Sequence, residues 1–106
     1  MSILDNAKSH FDKIETKAIE VPEWDTIIYS TPFTMGEKKS LWKFAKDDDF
    51  EFMVRTLILK ALDKDGNKLF DISHKRDLMD SVSPDVITRI VGEISISQTI
   101  EDMEGN

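Results

Sequence analysis

The segment from Ile19 to Trp42 constrains the fold most, because its pattern changes from strand to helix within a short stretch. Residues 18–21 and 27–29 are runs rich in β-branched and aromatic side chains, and a Pro-Glu-Trp-Asp turn separates them. Short apolar runs joined by such a turn predict a small β-hairpin. Two strands alone are marginally stable in water, so the hairpin is expected to lie against helices.

A helix start follows the hairpin directly. Pro32 ends the second strand, and Thr34-Met-Gly-Glu37 matches a capping box. In this motif the Thr34 hydroxyl accepts a hydrogen bond from the Glu37 amide, and the Glu37 carboxylate accepts one from the Thr34 amide. The sequence therefore predicts a helix from Met35 to about Ala45.

Four other segments have helical periodicity. Phe50–Leu62 has apolar residues at i, i+3, i+4 and i+7 and is expected to be the most buried helix, with Asp49 as its N-cap. Ser2–Lys17 is expected to be an amphipathic helix whose narrow apolar stripe packs weakly or docks on a partner. A short helix is predicted from Asp71 or Ser73 to Val82, and Ser83-Pro84 is a typical start for the last helix.

Apolar spacing also predicts which side chains of these helices face inward. They are Phe50, Met53, Val54, Leu57, Ala61, Leu62, Leu78, Met79, Val82, Val86, Ile87, Ile90, Val91 and Ile94. Residues from about 97 to 106 show no clear stripe and are expected to form a mobile acidic tail. The predicted fold is α+β: a mostly helical single domain over residues 1–106, with four to five helices and a two-stranded hairpin near residues 18–31.

The charge and composition exclude several function classes. The chain has 106 residues, with 14 Lys and Arg against 21 Asp and Glu, and a net charge of −7. A surface of this charge repels phosphate backbones, so we expect no nucleic-acid partner. No apolar run approaches the roughly 18 residues of a membrane span, so no membrane partner is expected. The absence of cysteine excludes disulfides, thiolate metal sites and thiol nucleophiles.

No catalytic, cofactor-binding or metal-binding residue is predicted. The chain has two histidines, no Gly-x-Ser-x-Gly elbow and no glycine-rich phosphate loop. Its four glycines offer few of the flexible loops from which active sites are built. We therefore expect a protein that is not an enzyme and needs no cofactor.

The segment from Asp63 to Asn67 supports an alternative function. Asp63, Asp65 and Asn67 match ligand positions one, three and five of an EF-hand loop. Position six, which requires glycine, is Lys68, and position twelve, which requires a bidentate glutamate, is His74. The segment is expected to be a turn, and a small calcium- or ion-binding regulatory domain remains the alternative hypothesis.

Aromatic residues in and after the hairpin are the candidates for partner binding. Trp24 in the tight turn either covers the end of the core or anchors a partner, since aromatic residues supply much of the energy of interfaces. Trp42 lies beside Leu41 and Phe44 on a helix, which favours a core position. The full candidate set is Trp24, Ile27, Tyr29, Phe33 and Trp42.

The order of these motifs resembles the small tail assembly chaperones of long-tailed bacteriophages. The resemblance covers roughly residues 19 to 96: the Ile-Glu-Val-Pro-Glu-Trp segment, the Pro-aromatic-Thr step into a helix, the Asp65-Gly66-x-x-x-Phe70 turn after an apolar helix, and the Ser83-Pro84 start of an isoleucine-rich helix. At Tyr29-Ser30 relatives often carry a basic residue, and this chain does not.

The resemblance implies a function without catalysis. Members of this family bind the tape measure protein, keep its apolar helices soluble and help to recruit tail tube subunits around it. The expected partners are therefore a tape measure protein and a tail tube protein, with self-association as a further possibility. The expected location is the cytoplasm of the infected host, and the protein would be absent from the mature virion.

Overall fold

The helices and strands follow the order expected from the sequence. The computed structural model describes the backbone of residues 2–104 and the side chains of residues 2–95. Over this part of the chain the elements are α1 (Ile3–Lys13), β1 (Lys17–Val21), β2 (Thr26–Ser30), α2 (Met35–Ala45), α3 (Asp49–Lys60), α4 (Lys75–Asp80) and α5 (Pro84–Glu104). Short 3₁₀ turns occupy Pro22–Trp24 and Ile72–His74. The predicted α+β fold is confirmed.

The hairpin presents one face to the core and the other to solvent. β1 and β2 are antiparallel, with Ile19 opposite Ile28, and the 3₁₀ turn joins them through Asp25 in the left-handed region at φ 52°. Successive strand side chains point to opposite faces. Ile19 and Ile28 are therefore buried, whereas Ile27 on the other face is exposed.

The core lies between the hairpin, α3 and α5. α3 contacts α2, α4 and α5, and α5 contacts β1. Leu57, Ile28 and Ile90 are completely buried at this junction. The predicted inward face of the last helix is confirmed, since all five of its apolar residues are buried: Val86, Ile87, Ile90, Val91 and Ile94.

Local hydrogen bonds explain where the helices begin. The predicted capping box is present: the Glu37 amide donates to Thr34 Oγ1 at 3.1 Å, and the Thr34 amide donates to Glu37 Oε1 at 2.9 Å. The predicted cap of α3 was wrong by one residue, because the carboxylate of Asp48 accepts from the amides of Phe50 and Glu51. Asp49 is the first residue inside the helix.

Three predicted core side chains are exposed instead. Phe50 is 67% exposed, Trp42 64% and Met79 43%. Phe50 lies in the first turn of α3 and Met79 near the end of the six-residue α4. Both border an open groove of about 170 Å³ between α3, α4 and α5 that no described element covers. Trp42 lies at the edge of the buried side of α2, next to Ala45 and in contact with Phe52 of α3, and most of the residue stays exposed.

The two ends of the chain also differ from expectation. α1 ends at Lys13 because the chain enters β1 at Lys17, and none of its residues is buried. α5 continues to Glu104, so the described backbone of the predicted tail is helical. The mobility of that tail stays a prediction, and residues 105 and 106 lie outside the described residues.

Candidate functional site

The five candidate partner-binding residues lie in four separate places. Trp24 lies at the closed end of the hairpin, and Ile27 and Tyr29 lie on its outer face. Phe33 packs against the core just before α2, and Trp42 stands on the exposed side of that helix. The structure therefore brings together only Ile27 and Tyr29.

Trp24 forms one wall of an apolar groove at the hairpin end. Its ring meets Phe70 edge to face, with centroids 6.2 Å apart and planes at 79°. The groove measures about 370 Å³, and its other lining residues are Thr26, Ile28, Leu69, Leu78 and Val82. Trp24 is half-buried and packs against the core, so it both covers the core and presents an apolar edge to the groove.

An ion pair fixes the turn that carries Trp24. Both Arg89 terminal nitrogens donate to the Glu23 carboxylate, at 2.6 and 2.8 Å. These hydrogen bonds lower the pKa of Glu23 to about 2 and raise that of Arg89. A bidentate pair of this kind sets orientation as well as energy. The groove wall is therefore anchored to α5 before any partner arrives.

The outer face of the hairpin borders a wide concavity of about 610 Å³, which Ile27, Tyr29, Glu20 and Asp63 help to line. The backbone of Tyr29 exchanges both hydrogen bonds with Leu62, at 2.9 Å each. In an antiparallel strand the backbone N–H and C=O groups of every second residue point to the same edge. On the edge of β2 away from β1, Tyr29 is already bonded to Leu62, so within β2 only Ile27 offers free backbone groups there. One residue is too short for an added strand, so this edge does not favour recognition by β-strand addition.

Phe33 lies over a buried polar cluster. Lys60 is 2% exposed, and its Nζ lies 5.0 Å from the centre of the Phe33 ring. The same nitrogen donates to Thr31 Oγ1 at 2.9 Å, to the Pro32 carbonyl at 3.1 Å and to Glu37 Oε1 at 3.1 Å. Glu37 thus serves the capping box and the buried lysine together. The position of Phe33 favours a structural role.

Trp42 is the most exposed of the candidates. Its ring contacts Phe52 of α3 with centroids 5.5 Å apart, and it borders a notch of about 180 Å³ that Asp47, Asp48 and Asp49 also line. This contact restrains the indole while 64% of the residue stays accessible. A restrained, exposed tryptophan loses little entropy on binding, so it is a favourable partner contact.

The Asp63 segment forms a turn held by its own carboxylate. Asp63 Oδ1 accepts from the amides of Asp65 at 2.8 Å and Asn67 at 2.9 Å, and hydrogen bonds of this kind lower the pKa of Asp63. Gly66 adopts a left-handed φ of 87°. Across the part of the chain with described side chains, no group of three or more His, Cys, Asp or Glu could hold a metal ion.

Two functional features were not predicted from the sequence. Lys60 follows Met53 and Leu57 at helical spacing, and this position could have indicated a buried lysine in need of an acidic partner. The Glu23–Arg89 pair joins residues distant in sequence, and no local pattern predicts it.

The remaining observations restrict the function without naming it. Among the described residues, no helix is both long enough and apolar enough to cross a membrane. The groove at Trp24, the outer hairpin face and the α2 surface at Trp42 are the exposed surfaces that contain candidate partner-binding residues. No protein-family model, no curated protein and no solved structure matches this chain.

Proposed function

We propose that this protein is a bacteriophage tail assembly chaperone. It binds the tape measure protein, keeps that long helical chain soluble and helps to recruit tail tube subunits around it. It acts in the cytoplasm of the infected host and does not remain in the mature virion. The proposal starts from the order of motifs between residues 19 and 96.

The open groove at the hairpin end is the observation that carries the proposal. An amphipathic helix is recognised when its apolar side chains enter a groove between elements. Trp24, Phe70 and Val82 provide such a groove, and the Glu23–Arg89 pair keeps its wall in place. The nearby edge of β2 suits an extended strand poorly, because Tyr29 is already bonded to Leu62.

Co-expression with segments of the tape measure protein tests the proposal. The expected result is that the wild-type protein increases the soluble fraction of at least one segment and co-purifies with it. Trp24→Ala should weaken both effects, because it removes one wall of the groove. Ile27→Asp tests whether the outer hairpin face also takes part.

Phe44→Ala is the matched control, since it truncates an aromatic residue that is 56% exposed and lies away from the groove. Each variant must first show a native circular dichroism spectrum and a cooperative urea transition. If folded wild-type protein neither solubilises nor co-purifies with any segment of its tape measure protein, the proposal is wrong.

A further inference from the structure

The solvent-facing side of α2 carries apolar and basic residues in one stripe. Met35, Lys39 and Trp42 recur at i, i+4 and i+7, so they follow one another along one face of the helix. Lys46 follows directly as the C-cap of the helix, with its backbone in the left-handed region. Lys43 borders the same face. Met35 is 83% exposed and Trp42 64%, and all three lysines are exposed.

This stripe has the opposite charge to the rest of the molecule. The chain has a net charge of −7, yet α2 with its C-cap contains four lysines and one acidic residue. That acidic residue, Glu37, is bonded to the buried Lys60 and does not neutralise the exposed lysines. A positive surface on an acidic protein attracts an acidic partner to one place and repels it elsewhere.

We infer that this α2 stripe binds an acidic amphipathic helix. The apolar side chains of the partner pack on Met35 and Trp42, and its carboxylates face Lys39, Lys43 and Lys46. Trp42 is already restrained by its contact with Phe52, so its side chain loses little freedom on binding. Asp47, Asp48 and Asp49 line the notch beside Trp42, between the end of α2 and the first residue of α3, and they repel an acidic helix that extends past Lys46.

The inference goes beyond the proposed function, because it concerns another surface and its probe is not a tape measure segment. The probe is a designed helical peptide of about five turns, with a leucine stripe flanked by glutamates. A second peptide has the same leucines with lysine at every glutamate position. Fluorescence anisotropy of the labelled peptides measures binding at low and at high salt.

The glutamate peptide should bind the wild-type protein at least ten-fold more tightly than the lysine peptide, and more weakly as salt increases. Lys39→Glu with Lys43→Glu should weaken this binding at least ten-fold. The matched control is Lys64→Glu with Lys68→Glu, which changes the net charge equally at two exposed positions four residues apart. The control should change the affinity less than two-fold.

Several outcomes would overturn the inference. The inference is wrong if the glutamate peptide does not bind, if both peptides bind equally tightly, or if the two double variants lose the same amount of affinity for the glutamate peptide. Two further measurements identify other occupants. If Lys39→Glu with Lys43→Glu abolishes binding to vesicles of anionic phospholipid, or abolishes self-association in sedimentation experiments, while the peptide does not bind, the stripe serves a membrane or a second copy instead.

Discussion

Lys60 shows how one side chain connects the start of α2 with the C-terminal end of α3. Its ammonium group is buried, and it is stabilised by an ion pair with Glu37 and by hydrogen bonds to the Thr31 hydroxyl and the Pro32 carbonyl. Removing the acidic partner would leave a buried charge, which is more costly than replacing the lysine by an apolar residue. Glu37 is about one-third exposed, so water can solvate it when Lys60 is absent.

We therefore expect an asymmetry between the two partners. Glu37→Ala should lower the free energy of unfolding by about 3–5 kcal/mol, because it leaves the buried ammonium without its carboxylate. Thr34→Ala removes only the cap and should cost about 1 kcal/mol. Lys60→Met should cost less than Glu37→Ala in urea denaturation. The opposite order would show that the carboxylate does not compensate the buried lysine.

Glu23 provides a pH-dependent contribution to stability at the hairpin end. Hydrogen bonds from Arg89 hold its pKa at about 2 in the folded protein, below the ordinary value of 4.5. Its stabilising effect is therefore complete above about pH 4.5 and is lost as the pH falls towards 2. Wild type should melt at a higher temperature than Glu23→Gln at pH 7, and this difference should shrink steadily in acid.

Glu20→Gln is the control for this experiment, because Glu20 is an exposed glutamate on the same hairpin and forms no ion pair with another described side chain. The difference in melting temperature between Glu20→Gln and wild type should not shrink in the same way as the pH falls. If the Glu23→Gln difference is constant from pH 7 to pH 2, the pair with Arg89 is not formed in solution.

At the scale of helices and strands, the local sequence predicts where a helix begins better than it predicts which side of that helix faces the core. The start of α2 could be predicted, because the two residues that form its capping box, Thr34 and Glu37, are only three positions apart in the sequence. Its exposed side could not, because Leu41, Trp42 and Phe44 are all apolar and only packing against α3 decides which is buried. The groove at Trp24 depends on Phe70 and Val82, which the fold brings from distant positions in the sequence.

The Asp63 turn is complete without a cation. Its carboxylate already accepts hydrogen bonds from two backbone amides. Lys68 occupies the position where an EF-hand needs glycine. Millimolar calcium should therefore leave the melting temperature unchanged. A saturable increase that Asp63→Asn abolishes would instead support the ion-binding alternative, since a ligand that binds the folded state stabilises it.

The whole molecule is more elongated than a compact domain of the same length. The principal extents are 50 × 31 × 24 Å, and the radius of gyration is 14.7 Å. A compact chain of this length would have a radius of roughly 13 Å. α1 contributes no buried residue, and its apolar residues Ile3 and Leu4 are 87% and 62% exposed. Stability should therefore come from the hairpin, α3 and α5, while α1 remains available for a partner.

Two leucine-to-alanine variants test this division. Leu57 in α3 is completely buried, so Leu57→Ala should lower the free energy of unfolding by about 2–5 kcal/mol through lost burial and the cavity left behind. Leu4→Ala makes the same chemical change in an exposed helix and should cost less than about 0.5 kcal/mol. Urea denaturation followed by circular dichroism measures both. A loss of more than about 1 kcal/mol for Leu4→Ala would show that α1 is packed in solution. Dependence of that loss on protein concentration would then identify a second copy as the surface it packs against.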